Sequence, residues 1–211
     1  MLLLAMTPFA AGPTALGQVV RVRVELLDVR CIQDTETVMD SDLFYVVAAL
    51  LGSPEGGARS DVIGPVALNM GQTASFPTDK RVIFDARLPI RGSIRGGMRA
   101  FNKNTHAEWP NRIDLAKEAT VAVAGTAPTE AVDERAGAIL NSIAKIYSGL
   151  PGSKLDSPLG RIELNISGDG DAEEIGEWKM FDNTMGANTF SYKVRYRITR
   201  GKQDHLRPNN G

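Results

Sequence analysis

Strict alternation of hydrophobic and polar side chains marks the first and last strands of the chain. From Val19 to Leu26, aliphatic side chains occupy every second position, and Arg21 and Arg23 lie between them. The same period of two runs through Thr189–Thr199, where aromatic and aliphatic residues alternate with Ser, Lys and Arg. A period of two places alternate side chains on opposite faces of a strand. The pattern therefore predicts two strands, each with one buried and one polar face.

Further strands are predicted between these two. A continuous apolar run from Phe44 to Leu51 predicts a second strand, which the glycine-rich turn at 52–57 interrupts. Shorter apolar segments, each bounded by Gly, Pro, Asn or Asp, predict strands at Val62–Leu68, Arg81–Leu88, Met98–Phe101 and Leu159–Ile166.

The hydrophobic period changes between Pro110 and Gly149. Apolar residues there recur at helical spacing and share one face: Val132, Ala136, Ile139, Leu140, Ile143, Ile146 and Tyr147. Pro128 suits the first turn of this helix and Gly149 its end. The segment Asn111–Ala124 is compatible with an earlier helix. The pattern predicts a helical hairpin whose apolar stripe packs on neighbouring structure, with a membrane-binding or subunit-binding helix as the alternative.

The predicted helices are confined to one segment between predicted strands, which indicates a mainly β protein. We predict an antiparallel β-sandwich with an inserted helical hairpin at about residues 110–150. The sandwich domain is expected to span residues 19–200, flanked by an apolar N-terminal arm at 1–18 and a C-terminal tail at 201–211.

Composition narrows the function classes. The 211 residues include 24 Lys and Arg against 25 Asp and Glu, which gives a net charge of -1. No global positive field attracts nucleic acid, so no nucleic-acid partner is expected. The single cysteine, Cys31, excludes an intramolecular disulfide.

The N-terminal arm carries an apolar run at Leu2, Leu3 and Leu4, followed by Phe9. It lacks a preceding Lys or Arg and is too short to span a bilayer, so it is a poor secretory signal and predicts no transmembrane helix. The alternatives are a tail without a role, a signal remnant, or an assembly arm that docks on its own domain or on a neighbouring subunit. Secretion or association with a particle is favoured over a cytoplasmic location.

Enzymatic signatures are missing from the sequence. It contains no G-x-S-x-G, phosphate-loop or H-E-x-x-H motif, and its two histidines, His106 and His205, are far apart. Cys31 is interpreted as a small buried hydrophobic residue rather than a nucleophile. We therefore expect a protein that is not an enzyme.

Clustered acidic residues between the first two strands suggest a cation site. Asp34, Glu36, Asp40 and Asp42 lie in or beside this loop. Converging carboxylates repel one another unless a cation is bound, and oxygen ligands suit Ca²⁺. The alternative is a solvated acidic turn.

The stretch from Leu26 to Leu50 resembles the opening of the C2 domain of protein kinase C and synaptotagmin, a calcium-dependent lipid-binding β-sandwich. In that family an acidic residue precedes a strand in an S-D-P-Y-V-like run. Residues Ser41–Val46 look like this run, with Leu43 and Phe44 in place of proline.

The resemblance implies a calcium site that this sequence matches in part. Asp34 or Glu36 would be an early ligand, and Asn102, Asn104 and Asp156 occupy the places of a second acidic loop. Asparagine brings an oxygen but no charge, so the resemblance implies weak Ca²⁺ binding at most. It also implies a docking module that binds a cation, an anionic lipid surface or a protein partner.

Two further hypotheses concern the surface. Basic residues that alternate along the first and last strands predict a calcium-independent surface for anionic lipid, with an ordinary polar face as the alternative: Arg21, Arg23, Lys193, Arg195 and Arg197. The rival function is a structural subunit of a homo-oligomer or larger particle, which would self-associate through the N-terminal arm.

Overall fold

The structure is a computed structural model that describes residues 19–34, 42–53, 57–102, 157–181 and 190–202, together with Ala138 and Asn141. These residues form nine strands: β1 Val19–Asp34, β2 Asp42–Ser53, β3 Gly57–Leu68, β4 Thr73–Ser75, β5 Val82–Pro89, β6 Ser93–Asn102, β7 Ser157–Ser167, β8 Glu173–Phe181 and β9 Phe190–Lys202.

The strands form two antiparallel sheets. In the first sheet, β1 pairs with β9 along one edge and with β5 and then β4 along the other, and β8 follows β9. The second sheet has the order β3-β2-β6-β7. The predicted mainly β, antiparallel sandwich is therefore confirmed.

Alternation along β1 explains how the first sheet contributes to the core. Val22, Val24 and Leu26 are fully buried between the sheets, as their period of two predicts. An irregularity in the pairing between Leu26 and Asp28 shifts the alternation by one residue. Val29 and Cys31 consequently point inward, and the Cys31 thiol lies in the core.

Aromatic rings join the two sheets. The ring centroid of Phe44 lies 5.4 Å from that of Tyr192 on β9 and 6.4 Å from that of Phe76, which follows β4. All three side chains are buried. These contacts connect the start of β2 to the start of β9 and fix the two sheets against each other at this end of the sandwich.

Two strands differ from the sequence-based expectation. The prediction omitted β4 and β8, because β4 is only three residues long and β8 alternates incompletely. In β8, Trp178 and Met180 point into the core, but Ile175 and Phe181 are exposed apolar side chains. The last strand also continues to Lys202, which extends it into the predicted C-terminal tail.

The helical hairpin predicted at 110–150 lies outside the described residues except for Ala138 and Asn141, which have helical backbone. The hairpin therefore stays a prediction, and so does the role of the arm at 1–18. In the described part of the chain, no helix is long and apolar enough to cross a membrane.

Gly96 allows β2 and β6 to approach closely, and its replacement by alanine is expected to destabilise the fold. Its φ is 147°, and a Cβ at this position would lie 2.1 Å from the carbonyl oxygen of Ala49. We expect Gly96→Ala to lower the free energy of unfolding by about 3 kcal/mol, because both backbone strain and a steric clash oppose it. Urea denaturation followed by circular dichroism measures this change.

Gly201→Ala is the matched control, since nothing lies within 4 Å of a Cβ built there. We expect it to change the free energy of unfolding by less than about 0.5 kcal/mol. Equal effects of the two substitutions would contradict the close approach at Gly96.

Candidate functional site

Three connections leave the described strands at one end of the sandwich, which we call the loop end. The connections 35–41, 103–156 and 182–189 follow β1, β6 and β8 and lead into β2, β7 and β9. Strand register brings their ends together, because Asp34 lies opposite Phe190 and Asn102 lies opposite both Phe44 and Ser157. The topology therefore gathers chain segments that are far apart in the sequence.

Three of the predicted cation ligands lie at the loop end. Asp34 is the last residue of β1, Asp42 is the first of β2 and Asn102 is the last of β6. Asp34 belongs to the first sheet, whereas the other two belong to adjacent strands of the second. Glu36, Asp40, Asn104 and Asp156 lie outside the described residues, and each belongs to a connection that starts or ends here.

In this set Asn102 carries a neutral amide, whereas Asp34 and Asp42 carry carboxylates. Asn102 is buried, with 8% of its surface exposed. Among the described residues, no group of three or more His, Cys, Asp or Glu side chains converges closely enough to hold a metal ion. The described residues of the loop end therefore include candidate ligand positions on both sheets, but by themselves they do not form a complete ligand shell.

Exposed apolar side chains also lie at the loop end, and the sequence analysis missed them. Met70 is 66% exposed in the turn between β3 and β4, Phe181 is 69% exposed at the end of β8, and Ile32 is 49% exposed near the end of β1. The turn that carries Met70 is held against β1, since Gly71 donates to the Cys31 carbonyl and Cys31 donates to Gln72. The signal in the sequence was a large apolar residue beside turn residues, as in Asn69-Met70-Gly71.

The predicted basic surface lies on the outer face of the first sheet, where carboxylates accompany it. Lys193 Nζ lies 3.0 Å from a carboxylate oxygen of Glu177 on β8. Arg195 binds Asp28 on β1 through both Nε and Nη2. On the other side of β1, Arg21 makes a two-pronged contact with Asp85 on β5, at 2.7 and 2.8 Å.

Glu25 is the centre of the charge network on this face. Its side chain is 4% exposed and accepts hydrogen bonds from Arg197 Nη2 at 2.6 Å and Arg23 Nη2 at 2.8 Å. Arg81 Nε lies 3.5 Å away. Burial raises the pKa of Glu25, but the Arg197 hydrogen bond and the charges of the three arginines outweigh burial and hold this pKa below its usual value.

All five residues of the predicted basic surface therefore have an acidic partner: Arg21 with Asp85, Arg23 and Arg197 with Glu25, Lys193 with Glu177, and Arg195 with Asp28. Opposite charges on adjacent strands reduce the potential that an anionic surface would encounter. The face offers hydrogen-bond donors, but its positive charge is largely matched within the sheet.

Comparisons with known proteins give structural similarity only. No protein-family model matches the chain, and no curated protein matches it in sequence. Human GIVD cytosolic phospholipase A2 matches 89% of this chain at 8% identity with a TM-score of 0.37, and the chain spans 18% of that protein's length.

Two separate C2 domains match over nearly their whole length. A structure described as a C2 domain is covered to 97% by 86% of this chain, at 10% identity and a TM-score of 0.33. A C2 domain of plant Extended Synaptotagmin 1 is also covered to 97%, at 7% identity and a TM-score of 0.34. Both TM-scores lie below 0.5, and the β-sandwich assignment rests on the two antiparallel sheets of the chain itself.

The charge network predicts a pH-dependent contribution of Glu25 to stability. At pH 7 we expect Glu25→Gln to lower the free energy of unfolding by about 2 kcal/mol, since charge-assisted hydrogen bonds are lost and three arginines remain. The folded-state pKa of Glu25 lies below its unfolded value of about 4.3, so the ionised carboxylate stabilises the fold above that pH. This contribution disappears as the pH falls through the folded-state pKa, and the two proteins should converge there in urea denaturation.

Glu163→Gln is the control, because the Glu163 side chain is 75% exposed and lies 3.8 Å from Arg161. Exposed pairs of this kind contribute about 0–1 kcal/mol. A stability difference between wild type and Glu25→Gln that stays constant from pH 7 to pH 3 would show that the carboxylate charge is unimportant.

Proposed function

We propose that this protein is a non-enzymatic docking module that binds an anionic lipid surface through its loop end. The observation that carries the proposal is the position of three exposed apolar side chains, Ile32, Met70 and Phe181, at the end where Asp34, Asp42 and Asn102 are also found. A surface that combines exposed apolar side chains with candidate cation ligands suits a membrane interface, which is apolar beneath charged head groups.

Transfer of the apolar side chains into the interface supplies the binding energy. Full burial of a side chain such as Met or Phe contributes about 1.5–3 kcal/mol, and binding to an interface grows with the apolar area buried. Met70 and Phe181 are each about two-thirds exposed, so most of this energy is available for docking. Phe181 is the last residue of β8, and Met70 lies in a short turn that is hydrogen-bonded to β1, which limits the conformational entropy lost on binding.

A weakly bound Ca²⁺ strengthens docking in this proposal. Asp34, Asp42 and Asn102 would be joined as ligands by Glu36, Asp40, Asn104 and Asp156 from the connections. The ion would reduce repulsion between these carboxylates and anionic head groups. Because asparagines replace charged ligands, we expect affinity below that of a fully acidic site.

The outer face of the first sheet makes a smaller contribution in this proposal. Its basic residues already have carboxylate partners, so an anionic head group must compete with Asp28, Glu25 or Asp85. Each basic residue near a membrane contributes about 1 kcal/mol when its charge is free. Compensation within the sheet supports the loop end as the principal contact.

We expect the full chain to float with anionic vesicles, and Met70→Asp and Phe181→Asp to reduce the bound fraction. Vesicles of phosphatidylcholine and phosphatidylserine at moderate salt are the probe, with Ca²⁺ or with a chelator. Each substitution replaces a favourable apolar transfer with a repelled charge, so we expect at least about a tenfold loss of affinity, equivalent to ~1.4 kcal/mol. Calcium should strengthen wild-type binding.

Ile175→Asp is the matched control. Ile175 is 49% exposed and lies near the start of β8, at the opposite end of this strand from Phe181. Equal losses in all three variants would indicate that the contact lies on the basic face. Wild-type flotation that high salt abolishes, with or without Ca²⁺, would indicate the same. Absence of flotation together with a multimeric mass by light scattering would overturn the proposal and favour a structural subunit assembled through residues 1–18.

A further inference from the structure

Strand β2 is buried on both faces, although only one face looks into the sandwich. Phe44, Val46, Ala48 and Leu50 belong to the core between the sheets. The alternate residues point away from this core and are nevertheless buried: Tyr45, Val47, Ala49 and Leu51 have exposed fractions of 0%, 0%, 0% and 6%. Packing between the two sheets accounts only for the inward set.

Neighbouring strands extend the buried outward surface, which we call the β2 outer face. Phe101 of β6 lies opposite Tyr45 and stacks on it, with ring centroids 5.2 Å apart, and Phe101 is 2% exposed. Val62 of β3 lies opposite Val47 and is 4% exposed. The β2 outer face therefore consists of Tyr45, Val47, Ala49, Leu51, Val62 and Phe101.

A sheet face buried to this degree requires a third layer of structure. The partly buried Arg99 of β6 lies opposite Val47 on the same side of the sheet, and burial lowers the pKa of its guanidinium. Arg161, opposite Arg99 on β7, also lowers it. The partial burial of the Arg99 guanidinium agrees with a third layer that extends from β2 over β6.

We infer that the connection 103–156 packs on the β2 outer face as this third layer. The connection leaves the second sheet after Asn102 and returns to the same sheet at Ser157, which lies opposite Asn102. One end is therefore attached to β6, which pairs with β2, and the other to β7, the next strand of the same sheet. The inference goes beyond the proposed function, since it concerns a different surface and does not depend on lipid.

The sequence of the connection supplies a matching apolar surface. Its helical-period stripe runs from Val132 to Tyr147 and consists of aliphatic residues and one tyrosine. Sixteen residues at helical rise cover about 24 Å. The distance along β2 from Tyr45 to Leu51 is about 20 Å for an extended strand. One amphipathic helix can therefore cover the length of the face.

The N-terminal arm is the competing segment within the chain, and its attachment is less suitable. Residues 1–18 join the first sheet at Val19, opposite Pro89 and next to the partner of Lys202. This attachment lies on the other sheet and at the opposite end from Asn102. The arm must cross the edge of the sandwich before it reaches β2, whereas the connection 103–156 starts beside the face.

Site-specific photo-crosslinking tests which segment covers the face. A benzophenone-bearing amino acid placed at Leu51, and separately at Val62, should cross-link to peptides within 103–156 in the full-length chain, as mapped by mass spectrometry. The same group at Ile175, which is 49% exposed on the other sheet, is the control and should not cross-link to those peptides. Cross-links to residues 1–18 or to a second copy, or none to 103–156, overturn the inference.

A charge on the face should release the connection. We expect Val47→Glu to accelerate tryptic cleavage within 103–156 by at least about tenfold, because protease access follows the population of the undocked state. The basic cleavage sites available there are Lys103, Arg112, Lys117, Arg135, Lys145 and Lys154. Ile175→Glu, with the same new charge on an exposed strand position, should leave cleavage unchanged.

Circular dichroism separates release of the connection from unfolding. If Val47→Glu keeps its β-sheet spectrum and is cleaved no faster than wild type, the inference is wrong. If the variant does not fold, the cross-links from Leu51 and Val62 decide the question, since these positions lie at the border of the face.

Discussion

Pairing between the first and last strands is the constraint on which the rest of the structure depends. β1 and β9 are in register from Val20 opposite Lys202 to Asp34 opposite Phe190, so the two ends of the described chain close the first sheet. This register places the valines of β1 beside Val194 and Ile198 in one core. It also places the carboxylates of β1 opposite the arginines of β9, and one alignment therefore determines both the core and the surface charge.

The consequences for binding follow from this alignment. Asp28 opposite Arg195 and Glu25 opposite Arg197 form ion pairs across adjacent strands, and Glu25 is too deeply buried to be replaced readily by a solvent anion. An anionic surface would therefore have to displace ion pairs that stabilise the sheet. The loop end has no such conflict, because the exposed side chains of Met70 and Phe181 are not needed for the core.

Local sequence pattern predicts a strand when its apolar residues keep to one face, and it does not reveal which charged residues face one another across strands. Alternation along β1 identified its buried valines, because a period of two is a local property. The acidic partners Glu177 and Asp85 lie on other strands, and no local pattern reveals the register of those strands. The sequence alone therefore suggested that the five basic residues form a positive surface. β8 was missed because Ile175 and Phe181 face outward, which breaks the alternation that marks a strand.

The loop end and the β2 outer face meet at the end of β6. Asn102, the last residue of β6, is a candidate cation ligand and lies next to Phe101 of the β2 outer face. The connection 103–156 begins directly after it. If the connection 103–156 covers the β2 outer face, as inferred, that face is not available to lipid, and the proposed membrane contact is left to the exposed side chains of Met70 and Phe181.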